Sequence, residues 1–213
     1  LPWEWFSLIG TIAFAISGVI VAMEEEYDLL GVFVLGLVTA FGGGLLRNIL
    51  LGIPMGQFWE QGDLFTIALA SMLLVFVLPA KFIHYWNRWG LFLDAVGLAA
   101  FAIQGALFAT HMHYPLSATI VAAVLTGIGG GIIRDVLASR KPLVFQEEIY
   151  AVWAMLAGVA IGVGMPQHNF YLSVLFCVIV VCRMLSIYYG WKLPRRSLRN
   201  RPVDENRHFV YRA

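Results

Sequence analysis

The chain has 213 residues, of which 60% are hydrophobic and 13% charged, with a formal net charge of +1; an ordinary soluble domain is about a quarter charged. Such a composition excludes a soluble globular protein and predicts an all-α polytopic membrane protein, with room for about seven spans of roughly 20 residues and none for a soluble domain of useful size. The near-zero net charge says little by itself.

Seven apolar stretches follow one another, at about 5–23, 30–51, 63–80, 91–110, 116–137, 149–165 and 170–190. The first begins Leu1-Pro2-Trp3-Glu4 without a basic leader, so no cleavable signal peptide is expected. The connections are short and turn-rich: Glu24 to Asp28, Gly52 to Gly62, Lys81 to Trp89, His111 to Pro115, Ser139 to Pro142 and Met165 to Asn169. Glu24-Glu25-Glu26-Tyr27-Asp28 lacks an EF-hand pattern and reads as a solvated loop, His111 and His113 as a surface pair, and Glu147 and Glu148 as flanking the sixth span. Cys177 and Cys182 lie in one apolar stretch on different sides of a helix, which disfavours a bridge between them. Trp3, Trp5, Trp59, Trp86, Trp89 and Trp191 fall near span ends, as interfacial anchors do, whereas Trp153 does not.

Basic residues fix the expected orientation. Lys81 and Arg88 follow the third span, Arg140 and Lys141 the fifth, and a basic tail from Lys192 to Arg212 the seventh, while the loops after the second, fourth and sixth spans carry no lysine or arginine. The positive-inside rule then places the N-terminus outside and the C-terminus in the cytoplasm. The basic tail, 191–213, is expected to lie against anionic membrane lipids, and no nucleic-acid binding is expected of it.

The second apolar stretch contains Thr39-Ala40-Phe41-Gly42-Gly43-Gly44-Leu45-Leu46-Arg47-Asn48, and the fifth contains Thr126-Gly127-Ile128-Gly129-Gly130-Gly131-Ile132-Ile133-Arg134-Asp135. Sliding the chain against itself by 87 positions aligns Gly10–Leu50 with Gly97–Leu137 without a gap, and sixteen of the forty-one positions are identical. This is a duplication. Residues 5–80 form repeat one, 91–165 repeat two and 170–190 an extra helix, all within a single transmembrane domain, 1–190. With three spans in each repeat the second copy must insert upside down, giving a 3+3 inverted repeat plus a seventh helix.

Gly42, Gly43, Gly44, Gly129, Gly130 and Gly131 remove side-chain bulk and weaken a helix by roughly 1 kcal/mol each relative to alanine. The second and fifth spans are therefore expected to kink or unwind there and to cross at a wet path, with close helix packing as the competing role. Arg47 and Arg134 lie about one helical turn beyond the triplets. Each needs a carboxylate, carbonyls or water near mid-membrane, and Asp135 and Asp94 are the candidate acids. Two roles stay open for the arginines: pairing that locks helices together, or lining and gating a path. Thr39 and Thr126, a turn before the triplets, either offer hydroxyls to a dehydrating ion or bond back to their own helix. No nucleophile–base or metal-ligand spacing supports an enzyme, so no catalytic activity, cofactor or metal is expected.

The paired Gly-Gly-Gly-x-x-Arg segments, the stretches Phe14-Ala15-Ile16-Ser17-Gly18 and Phe101-Ala102-Ile103-Gln104-Gly105, and the six-plus-one plan resemble the prokaryotic branch of the TRIC (trimeric intracellular cation channel) family over the chain up to about Gly190. The resemblance implies a homotrimer with one pore per protomer, conducting monovalent cations, mainly potassium. It implies pore residues at Gly42 to Gly44, Gly129 to Gly131, Arg47 and Arg134. Asn48 stands where the second repeat has Asp135, so the two halves of such a pore differ electrostatically. Some proteins with this domain are thought to move glycine, which keeps a small-solute secondary transporter open as the alternative; a non-conducting lipid-binding protein is a third reading.

Overall fold

The computed structural model describes residues 2–78, 87–146 and 149–191. Among these the chain forms helices α1 (Pro2–Glu24), α2 (Leu29–Leu51), α3 (Gly56–Trp59), α4 (Gly62–Val77), α5 (Asn87–His111), α6 (Leu116–Leu137), α7 (Leu143–Gln146), α8 (Tyr150–Gly162) and α9 (Asn169–Tyr189), and no strands. Lys81, Trp86, Glu147, Glu148 and the basic tail from Lys192 lie outside the described residues, as do the side chains of Trp3, Arg88 and Trp89.

Helix limits follow local chemistry. Asp28 starts α2 by accepting a bond from the Gly31 amide at 2.7 Å, and His168 Nδ1 accepts from the Phe170 amide at the start of α9. Gly52 and Gly190 end α2 and α9 in the left-handed region, at φ 65° and 61°, where glycine alone carries no Cβ penalty. Among the described residues five helices, α1, α2, α5, α6 and α9, are long and apolar enough to cross a membrane. The stretches predicted as the third and sixth spans are shorter, with 16 residues in α4 and 13 in α8. At about 1.5 Å per residue these reach roughly 24 and 20 Å, less than a hydrocarbon core of about 30 Å.

Helices α1 and α5 are the centre of the bundle. Their membrane-length windows are each 72% buried, against 22% for α9, which packs on α5 and α8 at the periphery. Helix α1 packs on α2 and α4 as α5 packs on α6 and α8, and the two sets join through α1 on α5 and α2 on α6. One apolar cluster gathers Phe14, Val19, Val32, Leu35 and Met72, and the other Leu98, Ile103, Leu107, Ala157 and Ile161. At their junction the rings of Phe14 and Phe101, 87 positions apart, meet edge to face at 5.2 Å.

Contacts repeat with the sequence. The Tyr27 hydroxyl donates to the Leu137 carbonyl at 2.8 Å and the Tyr114 hydroxyl to the Leu51 carbonyl at 2.9 Å, so each repeat's tyrosine covers an end carbonyl that α6 or α2 cannot satisfy internally. The short helices α3 and α7 occupy matching positions, 56–59 and 143–146.

Candidate functional site

The glycine triplets do not unwind. Helix α2 runs unbroken through Gly42–Gly44, and α6 through Gly129–Gly131. This corrects the expectation of interrupted helices with freed carbonyls. The reason is close approach: a Cβ on Gly43 would collide with the Thr126 carbonyl, and one on Gly130 with the Thr39 carbonyl, so backbone rests on backbone where α2 crosses α6. Within lipid an unwound turn leaves amides without partners, and keeping the helix avoids that cost. Thr39 and Thr126 are fully buried, and each hydroxyl donates back to its own helix, to the Leu35 and Ala122 carbonyls at 2.6 Å. They fill the space left by Gly18 and Gly105.

On either side of this crossing lies a cavity. One, of about 290 Å³, is lined by Ser17, Asp94, Arg134, Asp135, Arg140 and Lys141, among others. It sits at the end of α1 where Glu24 lies. The other, of about 380 Å³, is lined by Glu4, Ser7, Arg47, Asn48, Gln104 and Phe108 together with polar residues of the α2–α4 connection, and narrows toward Gly44 and Phe101 through a space of about 20 Å³. It opens at the opposite end of α1. The two share no lining residue. Between them stand the Phe14–Phe101 pair and the glycine crossing.

The duplication carries through to the cavity walls. Positions 87 apart, namely Arg134 and Arg47, Asp135 and Asn48, Asp94 and Ser7, Ser17 and Gln104, line the two cavities in equivalent places. Arg134 is held by partners from three helices. Its Nη1 donates to Ser17 Oγ at 2.6 Å and Asp94 Oδ1 at 3.0 Å, and its Nε and Nη2 lie 2.8 Å from Asp135 Oδ1. Asp135 Oδ2 in turn accepts from the Leu143 amide at 3.1 Å, which ties α7 to the site. Arg134 therefore both locks α1, α5 and α6 together and lines the cavity.

Arg47 is buried to the same depth, yet among the described residues it has no carboxylate at hydrogen-bond distance. Its Nε and Nη2 donate to Asn48 Oδ1 at 3.1 and 2.8 Å, and its guanidinium lies 4.0 Å from the centre of the Phe108 ring. Gln104 bonds Ser7 at 2.5 Å in the place where the other cavity has its ion pair.

Sequence reasoning passed over Arg183. It is fully buried in α9, with its guanidinium 4.5 Å from the centre of the Tyr150 ring. Tyr150 in turn lies within electrostatic reach of Asp94 and Arg134. An arginine alone in a span as apolar as 170–190 is itself the signal that marks it. Trp153, the tryptophan away from a span end, donates its Nε1–H to Ser186 beside this arginine at 2.9 Å. At the surface, Arg140 bridges Glu24 at 2.8 Å and Glu25 at 2.5 Å, so part of the acidic loop read as solvated is paired. Cys177 and Cys182 are free thiols, as expected.

Comparison with known proteins places these features. The family model described as Glycine transporter matches twice, over residues 4–80 and 91–167, one match to each repeat. The chain is 62% identical to the UPF0126 membrane protein YvgT of Bacillus subtilis, over 93% of this chain and 98% of that protein. It is 35% identical to the UPF0126 inner membrane protein YadS of Escherichia coli, over 95% and 97%. Among solved structures it is similar to a prokaryotic TRIC channel in 0.5 M KCl, at 34% identity, TM-score 0.79 and coverage of 90% and 98%. A TRIC channel orthologue from Rhodobacter sphaeroides gives 29% identity, TM-score 0.78 and coverage of 89% and 98%.

Proposed function

The chain belongs to the family described as Glycine transporter, whose solved relatives of matching fold are TRIC cation channels, and on that premise we propose that it is a multi-pass cation channel of the monovalent, potassium-conducting kind. It assembles as a homotrimer with one pore in each protomer. The single observation that carries the reading is the pair of repeat-related cavities, opening at opposite ends of α1 and separated by the α2–α6 crossing. Helices α4 and α8 complete seven spans, the two repeats insert in opposite senses, and the basic loops set the N-terminus outside.

In this reading the described conformation is closed. Ions enter one cavity past Glu4, Glu60 and Asp63, whose charge raises the local cation concentration, and leave past Asp94 and Asp135. Opening requires α2 and α6 to part at Gly43 and Gly130 and the Phe14–Phe101 pair to shift. Arg134, neutralised by two aspartates, presents no net barrier, whereas Arg47 is a barrier unless hydrated or paired.

A second reading is favoured by the same separation of the cavities: a secondary transporter for a small solute, exposing one cavity at a time. Potassium flux from liposomes separates the two. The channel reading expects rapid, non-saturating potassium release that Arg134→Ala alters. Saturable glycine counterflow without potassium release refutes it, and flux untouched by Arg134→Ala with only thermal stability lost makes that arginine structural.

A further inference from the structure

Each of the two repeat-related arginines holds its sequence neighbour in the same way: Nε and Nη2 go to Asn48 Oδ1 from Arg47 and to Asp135 Oδ1 from Arg134. They part at Nη1. Arg134 Nη1 donates to Ser17 Oγ and Asp94 Oδ1, whereas Arg47 Nη1, as deeply buried, has no hydrogen-bond partner among the described residues. The position that holds Asp94 in the second repeat holds Ser7 in the first, 87 residues earlier. A serine side chain stops one bond short of the oxygens of an aspartate. Beside Ser7 there is a space of about 20 Å³, bounded by Arg47, Thr11, Gln61, Gln104 and Phe101 among others. Gln104, in the place of Ser17, donates to Ser7 instead of accepting from the arginine.

We propose that this space binds one monatomic anion, of the chloride class, on Arg47 Nη1, as a diffusible counter-ion in the place where the second repeat has the Asp94 carboxylate. Size sets the first limit. About 10–15 Å³ is enough for one water-sized particle, so the space takes a single small ion and not a phosphate or a carboxylate-bearing solute. Charge separates the ion from a water. Arginine keeps its proton when buried, and a neutral water, like the neutral Asn48, leaves that charge uncompensated, which is strongly destabilising. The lining has the matching chemistry: the hydroxyls of Ser7 and Thr11 and the carboxamides of Gln61 and Gln104 can donate, and no acid lines the space among the described residues. Glu4, Glu60 and Asp63 line only the wider outer cavity, where cations of the bulk salt screen them. The inference goes beyond the channel and transporter readings alike, because it concerns an ion that stays and not one that passes, and its occupancy is measured without flux.

The test is thermal unfolding of the purified full chain as potassium gluconate is exchanged for potassium chloride at constant ionic strength, with potassium acetate as a second probe. Chloride is expected to raise the melting temperature saturably, by about 3 °C at ten times its half-saturating concentration, and acetate to act at least tenfold more weakly. Ser7→Asp gives the first repeat the carboxylate that Asp94 gives the second; it is expected to abolish the chloride response and to melt in gluconate at or above the wild-type value in chloride. Asn48→Asp neutralises the same guanidinium from its other edge without filling the space, and should weaken chloride at least tenfold. Arg47→Gln should abolish the response. In crystals grown in potassium bromide, an anomalous scattering peak is expected beside Arg47 and none beside Arg134. The proposal is overturned by equal melting in chloride and gluconate, by a chloride response that persists in Arg47→Gln or is unchanged in Asn48→Asp, by acetate acting as strongly as chloride, or by no bromide peak beside Arg47.

Discussion

Within one glycine triplet the structure separates two explanations that the sequence could not. A methyl group on Gly43 meets the Thr126 carbonyl, and one on Gly130 meets the Thr39 carbonyl, backbone that moves only if α2 and α6 part. A methyl group on Gly44 meets nothing nearer than Arg47 Nη2 at 3.9 Å. Overpacking a tight contact costs about 1–3 kcal/mol, and alanine in place of a helical glycine returns up to about 1 kcal/mol. Gly43→Ala and Gly130→Ala are therefore expected to destabilise by up to about 2 kcal/mol net, and Gly44→Ala to be neutral or stabilising by up to about 1 kcal/mol. Thermal unfolding of the purified full chain in one detergent reads this as a loss of several degrees for the first two and none for the third. Equal damage at all three positions would refute close approach as the reason for the triplet and restore a backbone that must bend at every glycine.

Asp94→Asn is expected to destabilise by about 3–5 kcal/mol at most, because it weakens a buried pair whose other member stays charged; Asp135 remains with Arg134 and softens the loss, and a melting curve checks it. Tyr27→Phe and Tyr114→Phe each expose one helix-end carbonyl and should cost about 0.5–1.5 kcal/mol, additively since the two sites lie apart, as a double mutant in the same assay will show. Glu24→Gln with Glu25→Gln should change stability by less than about 1 kcal/mol, and the difference should shrink in high salt, since the Arg140 bridges are about a third exposed.

Much of the architecture was legible because the duplication leaves identical residues at its mechanically constrained points. Phe14 and Phe101 meet at the junction, Thr39 and Thr126 fill the same gap, and the glycines mark the crossing. The partners of Arg134 were also legible, since few acids lie in apolar sequence and two of them, Asp94 and Asp135, reach it. Unwinding was misread because glycine's low helix propensity is a weak local preference, and the contact with the carbonyls of Thr126 and Thr39, far away in sequence, overrides it. Ser17 and Gln104 stood in the quoted motifs without a role, as neither carries a charge that demands a partner. Arg183 was missed for the opposite reason: its neighbours Tyr150 and Ser186 give an arginine no sequence-adjacent carboxylate to announce it. The lengths of α4 and α8 depend on how the short helices α3 and α7 and the connections around them fold, and hydropathy does not carry that information.

The central claim is that a cation path runs through one protomer by way of the two cavities and the crossing between them. Single-channel recording of the purified protein in a planar bilayer under a potassium chloride gradient tests it most directly. The account predicts unitary current steps reversing near the potassium equilibrium potential, with their size or open fraction altered by Arg134→Ala. Steps reversing near the chloride potential, or no steps from protein that is folded and correctly inserted, contradict it.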